Sequence, residues 1–209
     1  MTAPTMNGLI HHAVRRDLAR LAAALDPWPD GDRARAQRLE RAFANLRREL
    51  THHHEGEDEH VWPFLARTGV EAGLLAEMEA EHGAMSAALA GTATALSRLA
   101  QSGSADDAAA ARESVEGTRT VVEAHFDHEE KELEPLLRSH EGTPEWKAVT
   151  DQLRHRSPGD AGSFFAWLTD GISDEDRAAL KATVPAPLTF VLSRALGRRY
   201  TKEIAPVWR

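Results

Sequence analysis

The sequence predicts an all-α protein: an up-down-up-down four-helix bundle with a short helical C-terminal appendage. Three observations carry this. Strand signals are missing, since β-branched residues never alternate over a run and aromatic residues make up only 6%. Apolar residues recur in steps of three and four along residues 7–140, the period of a helix with one buried face. The breaks between these stretches are short, which sets long helices antiparallel to their neighbours.

Each element has its own start and stop signals. Helix A runs from about Asn7, a candidate N-cap, to Asp26, where Asp26-Pro27 ends it. A Trp-Pro-Asp-Gly turn follows. Helix B spans about Asp32 to Arg67, with a bend expected at Pro63. Thr68 and Glu71 form a capping-box pair that opens helix C, which continues to about Ala100. Ser104, with Asp106 and Asp107 in the first turn, opens helix D, which reaches about Ser139 past Pro135. In the tail, Thr143-Pro144-Glu145 starts a helix to about Arg156, and Ser157-Pro158-Gly159 breaks it. Phe164, Phe165, Trp167 and Leu168 form an apolar knot, and Ser173 with Asp176 caps a further short helix. The last helix spans about Pro187 to Lys202, with Leu188, Val191, Leu192, Ala195 and Leu196 on one face. Residues 1–140 are thus expected to form the bundle and residues 141–209 an extension packed on it, since the tail is too short for a sizeable core of its own.

Composition narrows the function classes. The chain has 209 residues, 42% hydrophobic and 28% charged, enough for a packed core and too apolar for global disorder. Cysteine is absent, which removes disulfides, Cys-type zinc sites, iron–sulfur ligation by the chain and thiol nucleophiles. That suits a reducing cytoplasm. A net charge of −8 argues against nucleic acid as a partner. The longest uncharged run, His82 to Ser97, is shorter than the roughly 18 residues of a membrane span. The opening residues lack the basic-then-apolar order of a leader. A cytoplasmic protein without a membrane partner is expected.

The informative residues are the 11 histidines. Helix B carries the stripe Leu39, Phe43, Leu46, Leu50, His53, Glu57, and helix D carries Ala111, Val115, Thr118, Val122, His125, Glu129. Helix C gives Leu75, Met78, His82, Met85, Leu89, and helix A gives His11, Val14, Leu18, Leu21, Leu25. Four histidines and two glutamates therefore fall on core positions. Burying them without partners costs several kcal/mol, and a metal is the simplest common partner. His53 to His125, Glu57 to Glu129 and Pro63 to Pro135 are each 72 residues apart, and His11 to His82 is 71. The chain reads as two helix-pair repeats, each giving one lone His and one His-x-x-x-Glu whose i, i+4 spacing aligns both side chains on one face. Imidazole and carboxylate without sulfur suit iron or manganese, and paired carboxylates suit a dinuclear site.

The pattern His11, His53-x-x-x-Glu57, His82, His125-x-x-x-Glu129, with a proline six residues after each Glu, resembles the hemerythrin-like HHE cation-binding domain. The resemblance covers about residues 7–140. It implies a non-haem centre of two iron ions, with His11, His53, His82 and His125 as imidazole ligands and Glu57 and Glu129 as bridges. Manganese or zinc would be substitutes. Oxygen-carrying members have a further His four residues after the third-helix His; here that position is Ser86. The remaining set is closer to the bacterial iron-centre-repair type, whose cysteine-bearing N-terminal segment this chain lacks.

The seven other histidines (His12, His52, His54, His60, His128, His140, His155) fall off the stripes and are expected to be solvated or supporting, with His54 the first reserve. Trp62 and Phe64 read as packing residues. Tyr200 reads as a surface contact, or else as a phenol laid over the metal site by the tail. The basic cluster Arg194, Arg198, Arg199 and Lys202 reads as a solvated face. The function expected is that of a di-iron protein that binds or reacts with O2, peroxide or nitric oxide, served by an electron-donor protein. Two alternatives stand beside it: a non-catalytic sensor, carrier or iron-storage module, and an inert bundle with a vestigial site.

Overall fold

The computed structural model describes residues 4–208, so the first three residues of the segment read against a leader lie outside the described residues. It is helical throughout, and no strand occurs among the described residues. Four long helices carry the fold: α1 (Met6–Ala24), α2 (Arg33–Gly56), α4 (Ala72–Ser102) and α5 (Ala105–Glu132). Packing of α1 on α2, α2 on α4, α4 on α5 and α5 on α1 closes a ring. No helix among the described residues is long and apolar enough to cross a membrane.

Side-chain caps set where the helices begin. The oxygens of Thr5, Asp32 and Ser104 accept from the backbone N–H three residues on, in Gly8, Arg35 and Asp107, satisfying donors the first turn leaves free. Thr5, not Asn7, therefore caps α1, and Asn7 lies within the helix. The start of α4 also departs from expectation. Thr68 ends α3 (Trp62–Thr68) and its hydroxyl donates to the Leu65 carbonyl. Gly69 follows at φ 93°, with Gly69 N donating to the Ala66 carbonyl and Val70 N to the Leu65 carbonyl. That left-handed glycine closure captures Thr68 as a helix end, and α4 begins at Ala72 without a side-chain cap.

The two repeat prolines disturb their helices differently. Before Pro63 the chain widens into a π turn, Glu57–Val61, closed by a bond from Trp62 N to the Glu57 carbonyl. Proline cannot donate to the carbonyl four residues back and its ring crowds that carbonyl, and an extra residue per turn relieves both. Before Pro135, α5 instead stops at Leu133 and restarts as α6 (Glu134–Ser139).

The tail continues as α7 (Pro144–Leu153), α8 (Pro158–Thr169), α9 (Asp174–Thr183), α10 (Ala186–Val191), a π turn (Leu192–Leu196), α11 (Arg198–Glu203) and a 3-10 turn (Ala205–Trp208). The expected last helix is thus broken at Gly197. Its apolar face is not covered: Leu188, Val191 and Leu196 stay 40–52% exposed. The contact is made elsewhere, where a Cβ on Gly162 would stand 2.5 Å from the Leu196 carbonyl carbon. The aromatic knot lies in α8, and Phe164, Trp167 and Leu168 join the same apolar cluster as Val14, Leu18 and Leu21 of α1. Trp167 Nε1 donates to Asp17 at 2.8 Å. Tyr200 is buried there as well, its hydroxyl donating to Asp170 at 2.9 Å. It is therefore neither a surface contact nor a phenol over the predicted ligands. A second apolar cluster, Val61, Trp62, Phe64, Leu65, Leu75, Met78, Leu133 and Val149, closes the other end of the molecule.

Gly162→Ala should loosen the tail. The added methyl meets backbone, which cannot swing aside, so a cost of about 1–3 kcal/mol is expected. Thermal melting followed by tryptophan fluorescence measures it; an unchanged midpoint would contradict the packing described.

Candidate metal centre

Between the two apolar clusters lies a polar layer. His11 enters it from α1, His53 and His54 from α2, Glu57 from the π turn, His82 from α4, and His125 and Glu129 from α5. His11, His54, Glu57, His82, His125 and Glu129 are all buried, and the His53 side chain is 8% exposed. His12, by contrast, is exposed and faces Asp176.

The ligand-type atoms converge. His53 Nε2 lies 3.3 Å from His11 Nε2 and 3.4 Å from Glu57 Oε1. Glu129 Oε2 lies 3.2 Å from His11 Nε2 and 3.7 Å from His125 Nε2, and Glu57 Oε2 lies 3.7 Å from His82 Nε2. Three groupings have all their ligand atoms within 4.8 Å of one another: His11, His53 and Glu129; His54, His82 and His125; and His53, His54 and Glu57. All six residues expected from the sequence are brought to one layer, and each falls in at least one of these groupings.

A shell of carboxylates fixes the rings from outside. His11 Nδ1 is 2.8 Å from Glu130, His82 Nδ1 is 2.8 Å from Asp58, and His125 Nδ1 is 2.8 Å from Glu81, whose other oxygen is 2.8 Å from His128 Nδ1. Arg15 holds Glu130 in turn at 2.7 Å, and the His11 ring stacks on Phe126 at 3.7 Å. A carboxylate on Nδ1 selects the tautomer whose Nε2 lone pair faces inward. The inward atoms then lack partners: among the described residues, His54 Nε2, His82 Nε2, His125 Nε2, Glu57 Oε2 and Glu129 Oε2 make no hydrogen bond. Buried polar atoms are seldom left so. Five in one layer, all of metal-ligating type, fit a bound cation.

The electrostatics favour ligand-competent forms. Burial drives the His53 and His54 imidazoles well below their ordinary pKa, reinforced by neighbouring histidines. Burial also lowers His125. Burial opposes charge on His11 too, but Glu129 and Glu130 outweigh it and raise the net value. The carboxyls diverge. Burial, with Glu129 beside it, raises Glu57 well above the carboxylate range. Burial pushes Glu129 the same way, yet His11, His53 and His125 overcome it and leave its value lowered. Glu130, despite burial, is brought to about 2 by His11 and Arg15. Burial thus favours the neutral, ligand-competent form of three of the imidazoles and splits the two carboxyls in opposite directions.

The sequence reading underweighted His54, which is buried with its ring stacked on His82 at 4.2 Å. An apolar stripe is wider than one residue per turn, and positions three and four after Leu50 both reach the interior. Asp58 and Glu130 were missed although each directly follows a repeat glutamate, 72 residues apart. Glu81 has no counterpart in the other repeat, where Ile10 precedes His11, so no pattern points to it. Asn7, expected as a cap, donates instead to Glu129 Oε1 at 2.9 Å. Ser86 is exposed.

The family model for the Hemerythrin HHE cation binding domain matches residues 9–137. No curated protein and no solved structure matches the chain.

Acidification should destabilise the metal-free protein. Below about pH 6.5 the unfolded chain protonates His53, His54 and His125 while the folded chain resists, so unfolding takes up protons and stability falls with pH. Glu57 acts in the opposite sense, as its raised value lets the folded state hold an extra proton, but it is one group against three. His11, with its raised value, loses its contribution only above that window. Thermal melts of chelator-treated protein from about pH 6.5 down to about 5.5 should show a falling midpoint; a flat or rising midpoint would contradict the buried neutral imidazoles.

Proposed function

The chain belongs to the hemerythrin HHE cation-binding domain family, and from that premise we propose that it holds two iron ions and binds or reacts with O2, peroxide or nitric oxide. In this reading His11, His53, His82 and His125 would be the imidazole ligands, and Glu57 and Glu129 would supply the carboxylates that hold the pair together. The observation that carries it is the set of inward nitrogens and oxygens left without hydrogen bonds in a buried layer. Thiolate is absent from the donor set, which favours iron or manganese over softer metals; manganese or zinc would serve as substitutes.

Two ferrous ions held there would supply one electron each to a small oxidant. The chain's own part is preparation. Asp58, Glu81 and Glu130 accept the Nδ1 protons of His82, His125 and His11, which aims each Nε2 at the layer and makes it more basic. The apolar clusters on either side keep bulk water out, which strengthens the attraction between the carboxylates and a cation. The same reading takes the ring of four long helices as an up-down-up-down bundle, with residues 1–140 as the metal-bearing unit and 141–209 as its extension. The family match ending at residue 137 supports that division. An electron-donor protein in the cytoplasm completes the proposal, in keeping with a chain that has no cysteine to oxidise.

Elemental analysis of protein purified without added metal should return about two irons per chain, as a paired-carboxylate bundle site implies. Glu57→Ala or Glu129→Ala should lose at least one of them. Exposed Glu55→Ala and Glu59→Ala should keep both and shift stability by no more than about 0.5 kcal/mol. A preparation that cannot be loaded with ferrous iron would defeat the metal reading. With Ser86 where oxygen carriers have a further His, oxidation of the diferrous protein by O2 should be irreversible on degassing. An optical band that comes and goes with O2 over repeated cycles would instead mark a reversible carrier.

A further inference from the structure

We infer that His54 is a fifth imidazole ligand, which makes the two metal positions unequal: His54, His82 and His125 face one, and His11 and His53 the other. The inference rests on the metal reading above and adds a residue and an asymmetry to it. His54 is 7% exposed, and its Nε2 makes no hydrogen bond among the described residues. Its ring stacks on His82 at 4.2 Å and meets His125 edge-on at 5.6 Å. The ligand nitrogens of these three histidines lie within 4.8 Å of one another, and His54 also groups with His53 and Glu57.

A histidine kept for packing or for hydrogen bonding would spend its ring nitrogens on partners. Leaving one orphaned in the interior is destabilising, and an apolar residue of similar volume would avoid it. Ser86, one turn beyond His82 on α4, is exposed and offers the layer nothing. The extra donor therefore comes from α2, where His53 and His54 diverge by the 100° of adjacent helical positions, one toward His11 and the other toward His82. The position poorer in imidazole is the His11–His53 side, beside Asn7 and Glu129. With fewer imidazoles on that side, it is the position the inference leaves for an exogenous ligand.

The test loads wild type, His54→Leu and the neighbouring control His52→Ala with ferrous iron and compares iron content, Mössbauer spectra and the melting of the metal-free forms. Wild type and His52→Ala should hold two irons in unequal environments. His54→Leu should lose one iron, or bind it at least tenfold more weakly. Its metal-free form should melt at or above the wild-type midpoint, because an orphaned nitrogen has been removed. A structural histidine would give the reverse: two irons retained with an unchanged spectrum, and a lower metal-free midpoint. That result would overturn His54 as a ligand and leave the metal centre standing, whereas a wild type that takes up no iron would overturn both. Should His54→Leu fail to fold, the hyperfine-shifted imidazole N–H signals of iron-loaded wild type decide it: five support the inference and four overturn it.

Discussion

Everything in this protein answers to the cost of burying imidazoles and carboxylates in the middle of a helical core. Seven such side chains share one buried layer. Charge there is expensive, and the molecule limits it in two ways. Burial lowers the proton affinity of His53, His54 and His125 and raises that of Glu57. What negative charge remains, on Glu129, is matched against His11. The outward nitrogens are satisfied by Asp58, Glu81 and Glu130, which sit nearer the surface where their own ionisation is cheap. Within these side chains, the atoms left without hydrogen bonds, His54 Nε2, His82 Nε2, His125 Nε2, Glu57 Oε2 and Glu129 Oε2, gather in the one layer, as a metal-binding role would require.

The duplication in the chain explains the symmetry of the layer, and the prolines explain its limits. Asp58 and Glu130 follow the two repeat glutamates and each grips the lone histidine brought from another helix. Each repeat thus braces a histidine lying outside its own His-x-x-x-Glu. The repeats part company at Pro63 and Pro135. The first absorbs the missing donor by a π turn that contains Glu57 itself; the second leaves Glu129 in regular helix and breaks after it at Leu133. The two carboxylates are consequently presented by different backbones, and they also differ in proton affinity.

Most of this was legible before any coordinates. The four long helices, the stripes and the six principal residues follow from period and spacing, because a buried face must repeat every three or four residues wherever it occurs. What escaped was set by three-dimensional neighbours. His54 lies at the edge of a stripe, and only the approach of His82 shows that the edge is interior. Glu81 faces away from the core and matters only because two histidines of α5 lie across from it. The Thr68–Glu71 pair has the right letters for a helix start, but Gly69 closes the preceding helix first. In the tail, the stripe of α10 predicts a buried face that the close approach at Gly162 leaves uncovered.

The extension lies beyond the family match, yet its side chains complete the same core. Helix α1 has two faces at work. One sends His11 into the polar layer; the other carries Asp17, which is buried and accepts from Trp167 Nε1, Arg16 and Arg20. A buried aspartate is costly without partners; Arg16 and Arg20 of its own helix satisfy Asp17 Oδ1, and the indole of α8 satisfies Oδ2. Arg156, just before α8, does the same for buried Glu49 of α2 at 2.7 Å. Apolar contact adds to this, since Phe164, Trp167 and Tyr200 share one cluster with Leu18 and Leu21. The tail is therefore tied to the two helices that bring in His11, His53 and His54. Holding those helices at fixed rotation keeps the side chains of the polar layer in register, and that gives the extension a physical role in shaping it.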